Sequence, residues 1–306
     1  MTFTRFLSCG LLAAVLAPLS AAQVQGTVLY GNLLVWGGSA AESVSITGTG
    51  GTLTVIGNGG TTVNGLPAVT FENVTGALLV GLGGGDDQLF FSEAEVHCGA
   101  LLAMGSGDDL VFAARNQIFG HLLVDGGGAG PAGDLIALSD GDGIGNVVTG
   151  TLAVCAARAT VVVRGSQVGH DIRVQTGCAA DQVKIDGCVV GDDVFVDTNG
   201  GDDLIDVGSL GPAVGNTIAG SLVVDAGSGN DVVRVGTLDG GASTVGSCSA
   251  LYLGYGNDQL VVRGTTFQSF LVARGNSGTD AAELQSVAFG NSVVGGLYVD
   301  GFEALQ

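Results

Sequence analysis

The stretch Gly76-Ala-Leu-Leu-Val-Gly-Leu-Gly-Gly-Gly-Asp-Asp-Gln-Leu-Phe-Phe91 is soon followed by a second version of itself, Gly99-Ala-Leu-Leu-Ala-Met-Gly-Ser-Gly-Asp-Asp-Leu-Val-Phe112. Each holds two apolar-x-apolar pairs separated by a glycine turn that ends in aspartate. Period-two alternation of apolar residues marks a short strand with one buried face, and glycine supplies the positive φ that a tight corner needs. The unit therefore reads strand, turn, strand. It recurs from Gly191 to Val207, from Gly220 to Val235 and from Ser249 to Val262.

Taking the first apolar pair of each unit as an anchor gives Leu33, Leu53, Leu78, Leu101, Leu122, Leu152, Ile172, Val194, Leu222, Leu251, Phe270 and Leu297. From Leu33 to Leu297 there are 264 residues over 11 intervals, about 24 per unit, within the range of stacked repeats. Individual steps run from about 19 to about 30 residues, so insertions must leave at corners while the strands stay in register. A third, weaker strand precedes several anchors, at Ile118, Val168, Ile218 and Val294. The expected fold is all-β: a single-domain parallel β-helix (β-solenoid), three-sided, with about twelve coils. The general bias of parallel crossovers makes it right-handed. With coils ~4.8 Å apart, the rod would be on the order of 55 Å long around a column of Val, Leu, Ile and Phe.

Composition agrees. Glycine takes 56 of 306 positions while proline takes 4, which fits neither collagen nor a Pro-rich disordered tract. Only 9 Lys and Arg face 29 Asp and Glu, for a formal charge of -20. Such a surface repels phosphate backbones and anionic lipid faces, so neither nucleic acid nor membrane insertion is expected. Near the amino terminus, Arg5, the apolar run Phe6 to Leu19 and the small residues Ser20-Ala21-Ala22 read as a secretory signal. The expected division is residues 1–22 as signal peptide and residues 23–306 as the solenoid. A secreted, extracellular or periplasmic (cell-envelope) location follows. Cys98, Cys155, Cys178, Cys188 and Cys248 then remain, without zinc spacing. A disulfide joining Cys155 to Cys178, or Cys178 to Cys188, is compatible with an exported chain, as is a set of buried free thiols.

The best corners are Gly83-Gly-Gly-Asp-Asp87, Gly105-Ser-Gly-Asp-Asp109, Gly200-Gly-Asp-Asp203, Gly227-Ser-Gly-Asn-Asp231 and Gly254-Tyr-Gly-Asn-Asp258, each followed two residues later by an apolar residue. These turns resemble the haemolysin-type (RTX) calcium-binding repeat, in which glycines let carbonyls approach the ion and Asp supplies carboxylate. The resemblance covers the corner alone, with one motif per coil where that family runs its motifs in tandem. It implies calcium as cofactor, with Asp86, Asp87, Asp108, Asp109, Asp202, Asp203, Asp231 and Asp258 as candidate ligands on stacked coils. The competing reading is an Asp or Asn that caps a glycine turn through its own backbone.

Two function classes remain. One is a secreted, non-catalytic scaffold with a structural, adhesive or surface-binding role, whose partners are calcium ions and a cell-surface or extracellular polymer. The other is a polysaccharide-degrading lyase or hydrolase of the pectin-lyase-like type. Cleavage needs paired carboxylates with a basic group on one concave face. Lys184 is the sole lysine, the mature arginines are scattered, and His97, His121 and His170 fall in separate units. The scaffold is therefore the expected class.

Overall fold

The computed structural model describes residues 22–208, 215–236, 241–290 and 296–305. The signal-peptide segment up to residue 21 and Val294 lie outside these. The described residues contain strands, turns and bends and no helix, so none is long and apolar enough to cross a membrane.

Three parallel sheets wind into a β-helix. The first contains eleven parallel strands among the described residues, from Asn32–Trp36 to Gly296–Asp300. Leu33, Leu78, Ala100, Leu122, Leu152, Ile172, Val194 and Leu222 stand in register along it, all inward and buried. The second sheet runs from Ser43–Gly48 to Ala304–Leu305 and buries Val44, Leu89, Val111, Ile136, Val161, Val183, Ile205, Val233 and Leu260. The third is built from pieces two or three residues long: two-residue pieces such as Gln117–Ile118 and Gln167–Val168 bury one side chain each, and the three-residue pieces Ser243–Val245 and Thr265–Phe267 bury two. The strand Gln88–Val96 turns the corner between the second and third sheets, pairing with Leu110–Ala114 at its start and Gln117–Ile118 at its end. Alternation gives each short strand one or two buried residues, and stacking joins them into one continuous apolar column.

Three anchors behave differently from the sequence expectation. Leu53 belongs to Leu53–Gly57, which pairs antiparallel with Ser43–Gly48 and with Ala68–Phe71. It is no coil of its own, and the described residues make eleven coils across the first sheet. Leu101 points outward between buried Ala100 and Leu102, and Phe270 is 43% exposed beside buried Leu271. In both places apolar residues occupy both parities, and pairing with the neighbouring strand decides which parity turns in. At the amino-terminal end, Gln23–Leu29 runs antiparallel to Asn32–Trp36. Together with the Leu53–Phe71 meander it covers sheet edge that would otherwise offer unpaired backbone.

Candidate functional site: a file of buried carboxylates

The corner entering the second sheet carries the aspartate doublets, and the pleat separates their members. In the pair Asp108-Asp109, Val111 points inward, so Asp109, two residues earlier, does too, while Asp108 points out. Asp109 is 2% exposed, and Asp87, Asp203, Asp231 and Asp258 are between 0 and 3%. Stacking brings further acids to the same place: Glu42, Asp134, Asp181, Asp280 and Glu303. At ten of these eleven stacked positions among the described residues the side chain is a carboxyl, nine of them buried and Glu303 exposed. The exception is Ala159, between Asp134 and Asp181.

Each coil is tied to the next by a backbone N–H that donates to the next carboxylate. Glu42 donates to Asp87 Oδ1 (2.7 Å), Asp87 to Asp109 Oδ1 (2.8 Å) and Asp109 to Asp134 Oδ1 (3.0 Å). After the break, Ala159 donates to Asp181 Oδ1, Asp181 to Asp203, Asp203 to Asp231, Asp231 to Asp258, Asp258 to Asp280 and Asp280 to Glu303 Oε2. At the break, Asp134 N–H donates to the Arg158 carbonyl instead.

The outward members form a second ladder of opposite sense. Asp108 N–H donates to Asp86 Oδ1, Asn230 N–H to Asp202 Oδ1 and Asn257 N–H to Asn230 Oδ1. Adjacent coils are therefore clamped in both directions. The glycines have an equally local cause. Gly256 sits at φ +143°, and a Cβ there would run into the Gly229 carbonyl of the preceding coil. Coil stacking alone accounts for the Gly-x-Gly spacing and for one oxygen of every aspartate.

The second oxygen has no such account. Oδ2 of Asp87, Asp109, Asp134, Asp181, Asp203, Asp231, Asp258 and Asp280, and both oxygens of Glu42, are buried without a hydrogen-bond partner among the described residues. The next corner shows that the fold can do otherwise. There Asn116, Asn146 and Asn216 also accept a neighbouring coil's backbone N–H, and each side-chain amide donates back to a carbonyl, of Phe91, Ala113 and Ile185 respectively, at 2.8 Å. Amides satisfy both ends of the group, and the aspartate corner leaves one end open.

Charge makes the open end costly. Carboxylates one coil apart, ~4.8 Å, repel by ~1 kcal/mol at the dielectric of water and by several-fold more near the interior. Burial, reinforced by neighbouring carboxylates, pushes Asp87 up to about 8 and Asp231 up to about 7. Burial likewise raises Asp134, Asp203 and Asp258 to about 6, and Glu42, Asp109 and Asp181 above their ordinary values. The file cannot stand fully ionised on its own and calls for protons or cations.

The histidines are dispersed. His121 Nδ1 accepts from Thr151 N–H, His170 Nδ1 lies 2.9 Å from Asp192 Oδ2 on the surface, and His97 stacks on Phe119. All five described cysteines are free, so the disulfide pairings considered from sequence do not form. Fold and corner together define a parallel β-solenoid with an interior carboxylate file. Comparison with protein families, curated proteins and solved structures gives no match for this chain.

Proposed function

We propose that this chain is an exported, non-catalytic β-solenoid that serves as a structural or surface-binding rod, and that its carboxylate file takes up calcium. The observation that carries the calcium reading is the run of buried, unpartnered carboxylate oxygens on consecutive coils. A hard divalent cation takes oxygen ligands, and two facing carboxylates match its charge. Among the described residues no three His, Cys, Asp or Glu side chains converge on one point. A pair of carboxylates would thus be completed by corner carbonyls and water. The non-catalytic reading is supported by placement: the inward acids lie inside the wall of the rod, where a glycan chain could not touch them. Export rests on Arg5 and the apolar run from Phe6 to Leu19.

Calcium that binds only stacked coils stabilises the folded state by mass action, so saturation at about 100 times the dissociation constant adds ~2.7 kcal/mol per independent site. Thermal melting of the purified chain at pH 7.5, in chelator and in millimolar calcium, tests this. The expected result is a clear rise of the melting temperature with calcium and a smaller rise with magnesium, which resists dehydration. An unmoved melting temperature would defeat the calcium reading.

A further inference from the structure

The count and grouping of the carboxyls go further than the presence of a cation. Ala159 divides the file into four acids, Glu42, Asp87, Asp109 and Asp134, and six, Asp181, Asp203, Asp231, Asp258, Asp280 and Glu303, of which Glu303 in the last described coil is exposed and the other nine of the ten are buried. Each inner aspartate has spent Oδ1 on a neighbouring N–H and retains a single oxygen, Oδ2, without a partner. With one oxygen free of hydrogen bonds and one negative charge, such a residue balances half the charge of a single divalent cation, in the gap above it or the gap below it. One divalent cation neutralises two carboxylates, and both groups contain an even number. Resting on the calcium reading above, we propose that the file loads in alternate gaps and holds five calcium ions. The pairs are Glu42 with Asp87, Asp109 with Asp134, Asp181 with Asp203, Asp231 with Asp258, and Asp280 with Glu303.

The register makes the alternation strict. An ion in the gap between Asp203 and Asp231 would use the oxygens needed by both neighbouring pairs, shift Asp258 onto Asp280, and leave Asp181 beside Ala159 as a lone buried charge. Loading outward from the Ala159 break leaves no buried acid stranded in either group. The outer acids stand outside this pairing because they face away from the interior: Asp86 and Asp202 are exposed, and half-buried Asp108 accepts from Ala132 N–H and Gly133 N–H through Oδ1.

Calorimetric titration of calcium into the chelator-stripped full chain tests the proposal, with bound calcium counted independently by atomic absorption after gel filtration. Five tightly held ions are expected. Asp→Asn changes keep the Oδ1 acceptor, and far-UV circular dichroism checks that each variant is folded. The double variant Asp231→Asn with Asp258→Asn removes one pair and should hold four. The double variant Asp203→Asn with Asp231→Asn breaks two pairs and should hold three. Asp202→Asn should still hold five. Eight ions, one per gap, or equal losses in the two double variants, would overturn alternate loading while leaving calcium binding intact. Absence of any tightly held ion would overturn both.

Discussion

Replacing Asp231 by Asn separates the charge of the file from its hydrogen bonding. Asp231 is 1% exposed, its Oδ1 accepts the Asp203 N–H at 2.8 Å, and its Oδ2 has no partner. Burial, with Asp203 and Asp258 alongside, raises it from 3.8 to about 7. A carboxyl that binds its proton more tightly in the folded state contributes stability that is fully present below the unfolded pKa. That stability is lost as pH rises through the folded pKa. A rise of about three pH units corresponds to ~4 kcal/mol in total, of which roughly 2.5 kcal/mol falls between pH 5 and pH 8. In chelator, the parent chain should lose at least this much over that interval, because Asp87 at about 8 and Asp134, Asp203 and Asp258 at about 6 add to it. Asp231→Asn should lose ~2.5 kcal/mol less than the parent over the same range, as read from urea unfolding at each pH. Asp231→Ala also removes the charge but leaves the buried Asp203 N–H without an acceptor, an added cost of about 1 to 3 kcal/mol at every pH. A parent chain whose stability in chelator is flat from pH 5 to pH 8, or an Asn variant that tracks the parent, would refute the reasoning.

Gly256→Ala should cost about 3 kcal/mol or more by thermal unfolding, since its φ is +143° and its Cβ position is filled by the Gly229 carbonyl. Gly50→Ala, at φ +63° with open space around it, should cost ~1 kcal/mol. Asn216→Ala should cost ~2 to 4 kcal/mol through loss of its bonds to Cys188 N–H and the Ile185 carbonyl, with no dependence on calcium or on pH between 5 and 8. Timed alkylation should label Cys98, Cys178 and Cys248 in the native chain. Cys188, fully buried with its thiol pushed up to about 12, should react only on unfolding.

Much of this was legible in the sequence, because the fold rests on local alternation repeated with small variation. The inward ends of the doublets were also open to inference. Asp two residues before a buried apolar residue must share its face, as in Asp109-Leu-Val111. The same rule finds Glu42-Ser-Val44, Asp134-Leu-Ile136, Asp181-Gln-Val183 and Asp280-Ala-Ala282. A signature that ties aspartate to a glycine corner does not pick them out, because the ladder needs only an acceptor beside the neighbouring N–H. Glycine is required where a carbonyl of the preceding coil presses on the turn. The antiparallel excursion from Leu53 to Phe71 was not legible, since its strands alternate as the coil strands do and only the direction of pairing distinguishes them. The parity of Leu101 and Phe270 was hidden for the same reason.

Because every inner aspartate takes one hydrogen bond from the preceding coil while its own N–H gives one to the following coil, the corner has no preferred number of turns. An inserted coil of 22 residues, the spacing from Asp87 to Asp109, would find its donor and its acceptor waiting, so length is a free variable of the backbone. It is not a free variable of the charge. If calcium fills alternate gaps as proposed, a rod lengthened by one turn would carry an odd acid with no partner, and one lengthened by two would not. Growth of such a molecule by duplication should therefore proceed in steps of two coils, or one coil at a time with an alanine where the acid would stand, as Ala159 already does.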